Sequence, residues 1–268
     1  MADGDYERGR GREIAFLQAR LRAFARARAD ADAPPVFVLN GWAASPRAWD
    51  LCAFVRRAPG CRLFSYLDQL DGLAARALEA ASRPVLLVGW SMGGSVALRL
   101  ACRRPDCVAG LVLLAATPRM MEDPATGWAG MGARRLAALR KGLELTHGEG
   151  FFGVPEGKPN PYQVDAPEHL ERGLRYLLDT DLRADLARAF ASPPTFPVYI
   201  FQSARDGIVR PENAAWLRTV FPRARGATVP GAEHALPVFI PKEIDDAVDA
   251  CLAVAAKGAD PRGARRAV

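Results

Sequence analysis

Ser91 is the residue in this sequence whose setting suits it best for covalent chemistry. It is the centre of Gly89-Trp90-Ser91-Met92-Gly93, directly after the apolar run Val85-Leu86-Leu87-Val88 and directly before the small-residue run Gly93-Gly94-Ser95-Val96-Ala97-Leu98. A strand, a sharp turn and a helix in that order lift a serine Oγ above a sheet, and the glycines remove Cβ atoms that would crowd it. The helix N-terminus at that point favours developing negative charge. An ordinary structural turn is the alternative reading.

A neutral serine is a poor nucleophile and needs a base within hydrogen-bond reach. Three histidines are available, His147, His169 and His234. His147 sits in a glycine-rich stretch and His169 in a charged one, where both read as solvated side chains. His234 lies in Pro230-Gly231-Ala232-Glu233-His234-Ala235, a loop after the last expected strand, which suits a base in a Ser, acid, His chain order. The acid expected between them is Asp206, in the loop Ser203-Ala204-Arg205-Asp206-Gly207 after the strand Val198-Tyr199-Ile200-Phe201-Gln202. It would accept the Nδ1 proton of His234 and fix its tautomer. Glu233 adjoins the histidine, so its side chain points elsewhere, and Asp179 and Asp181 fall outside this loop. Two backbone N–H groups are needed to hold an oxyanion. Met92, after the nucleophile, supplies one, and Trp42 in Asn40-Gly41-Trp42-Ala43 is the candidate for the other; Trp42 also reads as a core residue at a turn.

The elements that must position these groups alternate. Val36–Leu39, Arg62–Tyr66, Val85–Val88 and Val108–Ala115 read as strands, with helices over Pro46–Arg56, Gln69–Ala81 and Met92–Arg103. Continuous apolar strands separated by helices indicate a mostly parallel central sheet covered on both faces, the α/β class, and the strand, serine turn and helix around Ser91 make an α/β-hydrolase fold the expectation. The alternation fails over about 118–194, where helical stretches at Ala133–Glu144 and Pro167–Leu178 suggest an inserted helical cap. It resumes with Val198–Gln202, a helix over Pro211–Val220, a strand near Ala227–Val229 and a last helix over Lys242–Ala255. Residues 1–33 read as an amphipathic helical extension with Ile14, Leu17, Leu21 and Phe24 at helical spacing. It would pack on the body, with a membrane-surface or partner role as the alternative. The main domain then covers 34–256, and 257–268, rich in Gly and Arg, read as a disordered tail.

The chain has 268 residues, half of them hydrophobic, enough for one sizeable core. Its formal charge of +6 comes almost wholly from arginine, since only Lys141, Lys158, Lys242 and Lys257 are lysines. No recognition motif accompanies that charge, so no nucleic-acid partner is expected. Five scattered cysteines without a CxxC spacing read as free thiols in a reducing compartment, and no metal or organic cofactor is expected. No apolar run has the length of a membrane span or a signal core, so the expectation is no membrane association, a cytoplasmic location and a monomer.

Taken together, Asn40-Gly41-Trp42, Gly89-Trp90-Ser91-Met92-Gly93-Gly94, Arg104-Pro105-Asp106-Cys107-Val108, Ala116-Thr117-Pro118, Asp206-Gly207-Ile208-Val209-Arg210-Pro211 and Ala232-Glu233-His234-Ala235 resemble the pimeloyl-[acyl-carrier protein] methyl ester esterases of biotin synthesis. Gly173 to Arg183 is similar to the segment where that family's cap returns to the core. The resemblance implies a methyl-capped pimeloyl chain on an acyl carrier protein as substrate, methanol as product, and basic cap residues as the carrier's dock. The cluster Arg134, Arg135, Arg140 and Lys141 takes that place here, with a solvated helix face as the alternative. Phe151 and Phe152 resemble the aromatic lining of the acyl tunnel, with cap packing as the alternative. The sequence departs from the superfamily in having Asn40-Gly41 where His-Gly is common, and Tyr66-Leu67-Asp68-Gln69 in place of an Asp-x-Pro-Gly-x-Gly loop. A general short-chain carboxylesterase or thioesterase shares the triad, and a noncatalytic binding protein of the same fold is the remaining alternative.

Overall fold

Val85–Trp90 is buried along its whole length, so the strand it forms must be covered on both faces. The computed structural model describes residues 33–58, 60–146, 159–163 and 165–258. It places that strand inside a six-stranded sheet. Strands β1 (Val36–Leu39), β2 (Arg62–Phe64), β3 (Val85–Trp90), β4 (Val108–Leu114), β5 (Val198–Ser203) and β6 (Thr228–Val229) run in the order β2-β1-β3-β4-β5-β6, every pair parallel. The helices are α1 (Phe54–Arg57), α2 (Tyr66–Leu70), α3 (Leu73–Glu79), α4 (Met92–Arg103), α5 (Ala133–Thr146), α6 (Pro167–Asp179), α7 (Arg183–Ala189), α8 (Pro211–Val220), α9 (Leu236–Phe239) and α10 (Pro241–Gly258).

Side chains alternate along the strands and build two cores. On one face Val36, Val38, Leu86, Val88 and Val112 pack with Ile244, Val248 and Cys251 of α10. On the other, Phe37, Leu39, Leu87, Leu111 and Leu113 pack with Val96, Ala97 and Leu100 of α4 and Leu217 of α8. Each fully buried Val or Leu contributes roughly 1.5–3 kcal/mol, so the paired layers fix the strand register. The strand order reverses between β1 and β3. That switch point leaves a crevice beyond their carboxyl ends, and Leu39 pairs with Gly89 there.

Two expected helices are broken in the structure. Pro46–Arg56 divides into a 3-10 turn, Pro46–Trp49, and the short α1. The carboxylate of Asp245 on α10 accepts from the amides of Ala53 and Phe54 at 3.0 and 2.8 Å, which starts a new helix there. Gln69–Ala81 divides at Gly72, whose φ of +75° ends one helix and caps the next. The preceding strand stops at Phe64 because Ser65 forms a capping box with Asp68. Helix α7 was not anticipated, although Leu182, Leu186 and Phe190 recur at four-residue spacing and are all buried.

Between β4 and β5 the chain leaves the sheet to form α5 and α6. The ends of this excursion meet where the Leu182 amide donates to the Pro118 carbonyl at 2.9 Å and Arg119 bridges Asp181. Arg183 bonds Asp123 and Asp181 and lies over the Trp128 ring at 5.2 Å. The expected N-terminal helix, and the tail beyond Gly258, lie outside the described residues. All five cysteines are free, and burial pushes the thiols of Cys61 and Cys251 up to about 12. Among the described residues no helix is long and apolar enough to cross a membrane, and no group of three or more His, Cys, Asp or Glu could hold a metal.

Candidate active site

The turn after β3 carries Ser91 at φ +56°, ψ −118°, a conformation L-residues rarely adopt. Its amide donates to Leu114 O at 2.9 Å, which ties the turn to the end of β4. Gly93 allows the following helix to sit against β1, because a Cβ there would lie 2.0 Å from Leu39 O. The serine is only 6% exposed.

The loops after β5 and β6 bring the other two groups to it. Ser91 Oγ lies 2.8 Å from His234 Nε2, and His234 Nδ1 lies 3.0 and 2.9 Å from Asp206 Oδ1 and Oδ2. Asp206 Oδ1 accepts from the amides of Ile208 and Val209 at 2.8 and 2.9 Å, and Oδ2 from Gln202 Nε2 at 3.1 Å. Burial acts on Asp206 most strongly and upward. The charge and hydrogen bond of His234, with the two amides, outweigh it and hold the carboxyl below the usual range. The histidine's loop is held from the side of Ser91, since Trp90 Nε1 donates to the His234 carbonyl at 2.9 Å.

The loop after β1 lies directly against Ser91. A Cβ on Gly41 would be 3.4 Å from Ser91 Cβ. Among the described residues the Trp42 amide donates to no backbone carbonyl, and Met92 opens α4, where the first amides have no carbonyl one turn earlier in the helix to bond. Asn40, fully buried, braces this loop: its Nδ2 donates to Ala44 O at 2.9 Å, its Oδ1 accepts from Trp49 Nε1 at 3.0 Å, and its carbonyl accepts from Gln69 Nε2 at 2.9 Å. A strap from the excursion holds the outer side, with Gln163 N donating to Ala43 O at 3.0 Å and Ser45 N to Pro161 O at 2.8 Å. Ala43 is thereby kept at φ +52°.

The Trp42 side chain reaches out of the sheet domain. Its Nε1 donates to Leu170 O of α6 at 3.0 Å, and its ring fills the space a Cβ on Gly173 would take. Met92 lies in a buried apolar cluster with Met120, Met131, Leu139, Leu177 and Val209, against which Trp42 and Ile208 pack. This layer joins the sheet to the excursion beside Ser91. Of this layer the sequence singled out Met92, for its amide, and Trp42, but not Met120, Met131, Leu139 or Leu177; the apolar stripe of α5 and α6 was the available signal.

Other candidates fall elsewhere. Glu233 is exposed, and Asp181 pairs with Arg119 and Arg183. His169 lies on α6, while His147, Phe151 and Phe152 lie outside the described residues. Arg134, Arg135, Arg140 and Lys141 are all exposed on α5. Arg140 is engaged by Glu171, and the Arg135 guanidinium lies over Gly207, 2.7 Å from where a Cβ would be.

A doubly covered parallel sheet with a strained serine at its switch point, backed by a buried histidine and aspartate, defines a hydrolase-type site. The family model described as "Alpha/beta hydrolase family" matches residues 36–247, and the chain belongs to that family. Among curated proteins it is similar to the pimeloyl-[acyl-carrier protein] methyl ester esterase of Nitrosospira multiformis, 27% identical over 76% of this chain and 88% of that protein. The protein of the same name from Chromobacterium violaceum is 29% identical over 75% of this chain and 87% of that one. Among solved structures, an esterase from Exiguobacterium antarcticum superposes with a TM-score of 0.65 at 20% identity, covering 83% of this chain and 92% of that one, which supports the fold.

Proposed function

We propose that the protein is a serine-dependent carboxylic ester hydrolase. The observation that carries the reading is the buried relay from Ser91 Oγ through His234 to Asp206, each step within 3.0 Å. His234 Nε2 takes the Ser91 proton as Oγ attacks the ester carbonyl. The amides of Trp42 and Met92 hold the oxyanion, and Asp206 keeps Nδ1 protonated and balances the imidazolium. The imidazolium returns its proton to the departing alcohol. A water deprotonated by His234 then cleaves the acyl-enzyme and regenerates Ser91.

The substrate we propose is the methyl ester of a pimeloyl chain on an acyl carrier protein, released as methanol and the free carboxylate. Two observations support it beyond the names of the relatives. The apolar layer of Met92, Met120, Met131, Leu139 and Leu177 suits a methylene chain, and the exposed basic face of α5 suits an acidic carrier. Arg134 and Lys141 make no ion pair with another described residue, whereas Arg140 is already held by Glu171. That pairing narrows the dock and favours, as the second reading, a general short-chain carboxylesterase or thioesterase.

The test has two arms. Ser91→Ala should abolish hydrolysis of a p-nitrophenyl ester by the full chain, and undiminished turnover would end the serine mechanism. Complementation decides the substrate: expression should restore growth without biotin to a strain lacking its own esterase. Failure by folded, expressed protein would leave the short-chain reading.

A further inference from the structure

Gln202 is a buried amide whose surroundings are almost all acceptors. It is 1% exposed, and its Nε2 lies 3.0 Å from Val209 O, 3.1 Å from Asp206 Oδ2 and 3.3 Å from Ser203 O. An amide oxygen turned toward these groups would repel all three, so the NH2 must face them. The other end of the side chain, Oε1, is buried without a hydrogen-bond partner among the described residues. A buried orphan oxygen is unfavourable. The contacts of the NH2 with the acid's loop are what offset it.

Those contacts act on one oxygen of Asp206. Oδ1 accepts from the amides of Ile208 and Val209, Oδ2 accepts from Gln202 Nε2, and His234 Nδ1 lies within 3.0 Å of both oxygens. Through Val209 O the same NH2 also closes the turn that presents the carboxylate. We propose that Gln202 is a positioning residue for the relay, which fixes the Asp206 carboxylate and tempers its hold on the His234 imidazolium. This rests on the reading of Ser91, His234 and Asp206 as the reacting groups. A neutral donor on Oδ2 withdraws part of the carboxylate's negative charge, so the imidazolium is less stabilised and its proton is given up more readily. Without that donor the carboxylate holds the proton more tightly.

Few other charges face the pair. Tyr162, whose phenol burial holds well above its ordinary value, is neutral; Glu233 is exposed; and the Arg135 guanidinium lies outside Gly207. None of these changes when Gln202 is replaced.

The experiment follows the imidazole nitrogens of the full chain by NMR through a pH titration, in wild type, Gln202→Met and Gln202→Glu. Methionine keeps the volume and removes the donor; glutamate keeps the shape and adds an acid. The His234 pKa should rise by roughly half a unit to one unit in Gln202→Met and by more in Gln202→Glu, while His147 and His169 titrate as before. The acid limb of kcat/KM for a p-nitrophenyl ester should move up by the same amount with little change in KM. An unmoved or lowered His234 pKa in either folded variant, with only a loss of Tm, would overturn the proposal and leave Gln202 a packing residue. Wild-type protein that turns over no ester would end the esterase reading, and the titration would still decide the role of Gln202.

Discussion

Trp90 and His234 are joined by a hydrogen bond from the indole Nε1 to the histidine's main-chain carbonyl, 2.9 Å long, with the rings 5.8 Å apart. The residue before Ser91 therefore holds the loop that carries His234, although 143 positions separate the histidine from Ser91. Trp90→Phe keeps the ring and deletes the donor. We expect kcat for a small ester to fall about 10- to 100-fold, because slight misplacement of a reacting group has effects of that size. KM should hold. Steady-state kinetics on folded variant decide it, and an unchanged kcat would release Trp90 from any part in placing His234.

Asn40 closes the loop that carries the Trp42 amide. Asn40→Leu removes the bonds to Ala44 O and Trp49 Nε1 and should loosen Ala43 from its positive φ. The loss of one oxyanion donor costs on the order of 100- to 1,000-fold in kcat, and a displaced donor should fall at or below that range. Affinity for a tetrahedral boronic acid should drop in parallel, whereas a variant that binds the boronate as wild type does would place the oxyanion donor elsewhere.

Asp206 links the relay to acid stability. Its pKa is lower in the folded chain than the ordinary value near 3.9. Its ionised form therefore stabilises the fold above that value, and the contribution is lost as pH falls through the folded-state pKa. Asp206→Asn should lessen the decline in urea stability below about pH 4 and lower kcat by about three to four orders of magnitude. Parallel stability curves for the two proteins across that acid range would contradict the assignment of the shift.

Gly93 gives a packing test. Alanine there would set a Cβ 2.0 Å from Leu39 O and 2.7 Å from Asn40 O, both main-chain atoms that cannot swing aside. Gly93→Ala should destabilise the protein by about 3 kcal/mol or more, read as a lower urea midpoint. Wild-type stability would mean that β1 and α4 can separate without cost.

The three residues that the fold brings together, Ser91, His234 and Asp206, were legible because local patterns announce them. An apolar run leading into Gly-x-Ser-x-Gly, a histidine after the last strand and an aspartate after β5 each depend on neighbours within a few positions. Continuous apolar runs and helical spacing likewise marked the strands and the longer helices. The break before α1 was not legible, because Asp245 starts that helix from 191 residues away and no local window contains it, whereas the break at Gly72 rests on a local glycine.

What the amino-acid order determined by itself is therefore the alternating sheet, its apolar strands and the three groups of the relay, since side-chain type and short-range periodicity are local properties. What only the tertiary structure decided is the set of long-range bonds that aim those groups: Trp90 on His234, Asn40 on Ala44 and Trp49, the Pro161–Gln163 strap on Ala43, and Gln202 on Asp206. Hydrogen bonds within 3.1 Å depend on which chain segments packing brings together, and the two covered faces of the sheet are what bring these into contact.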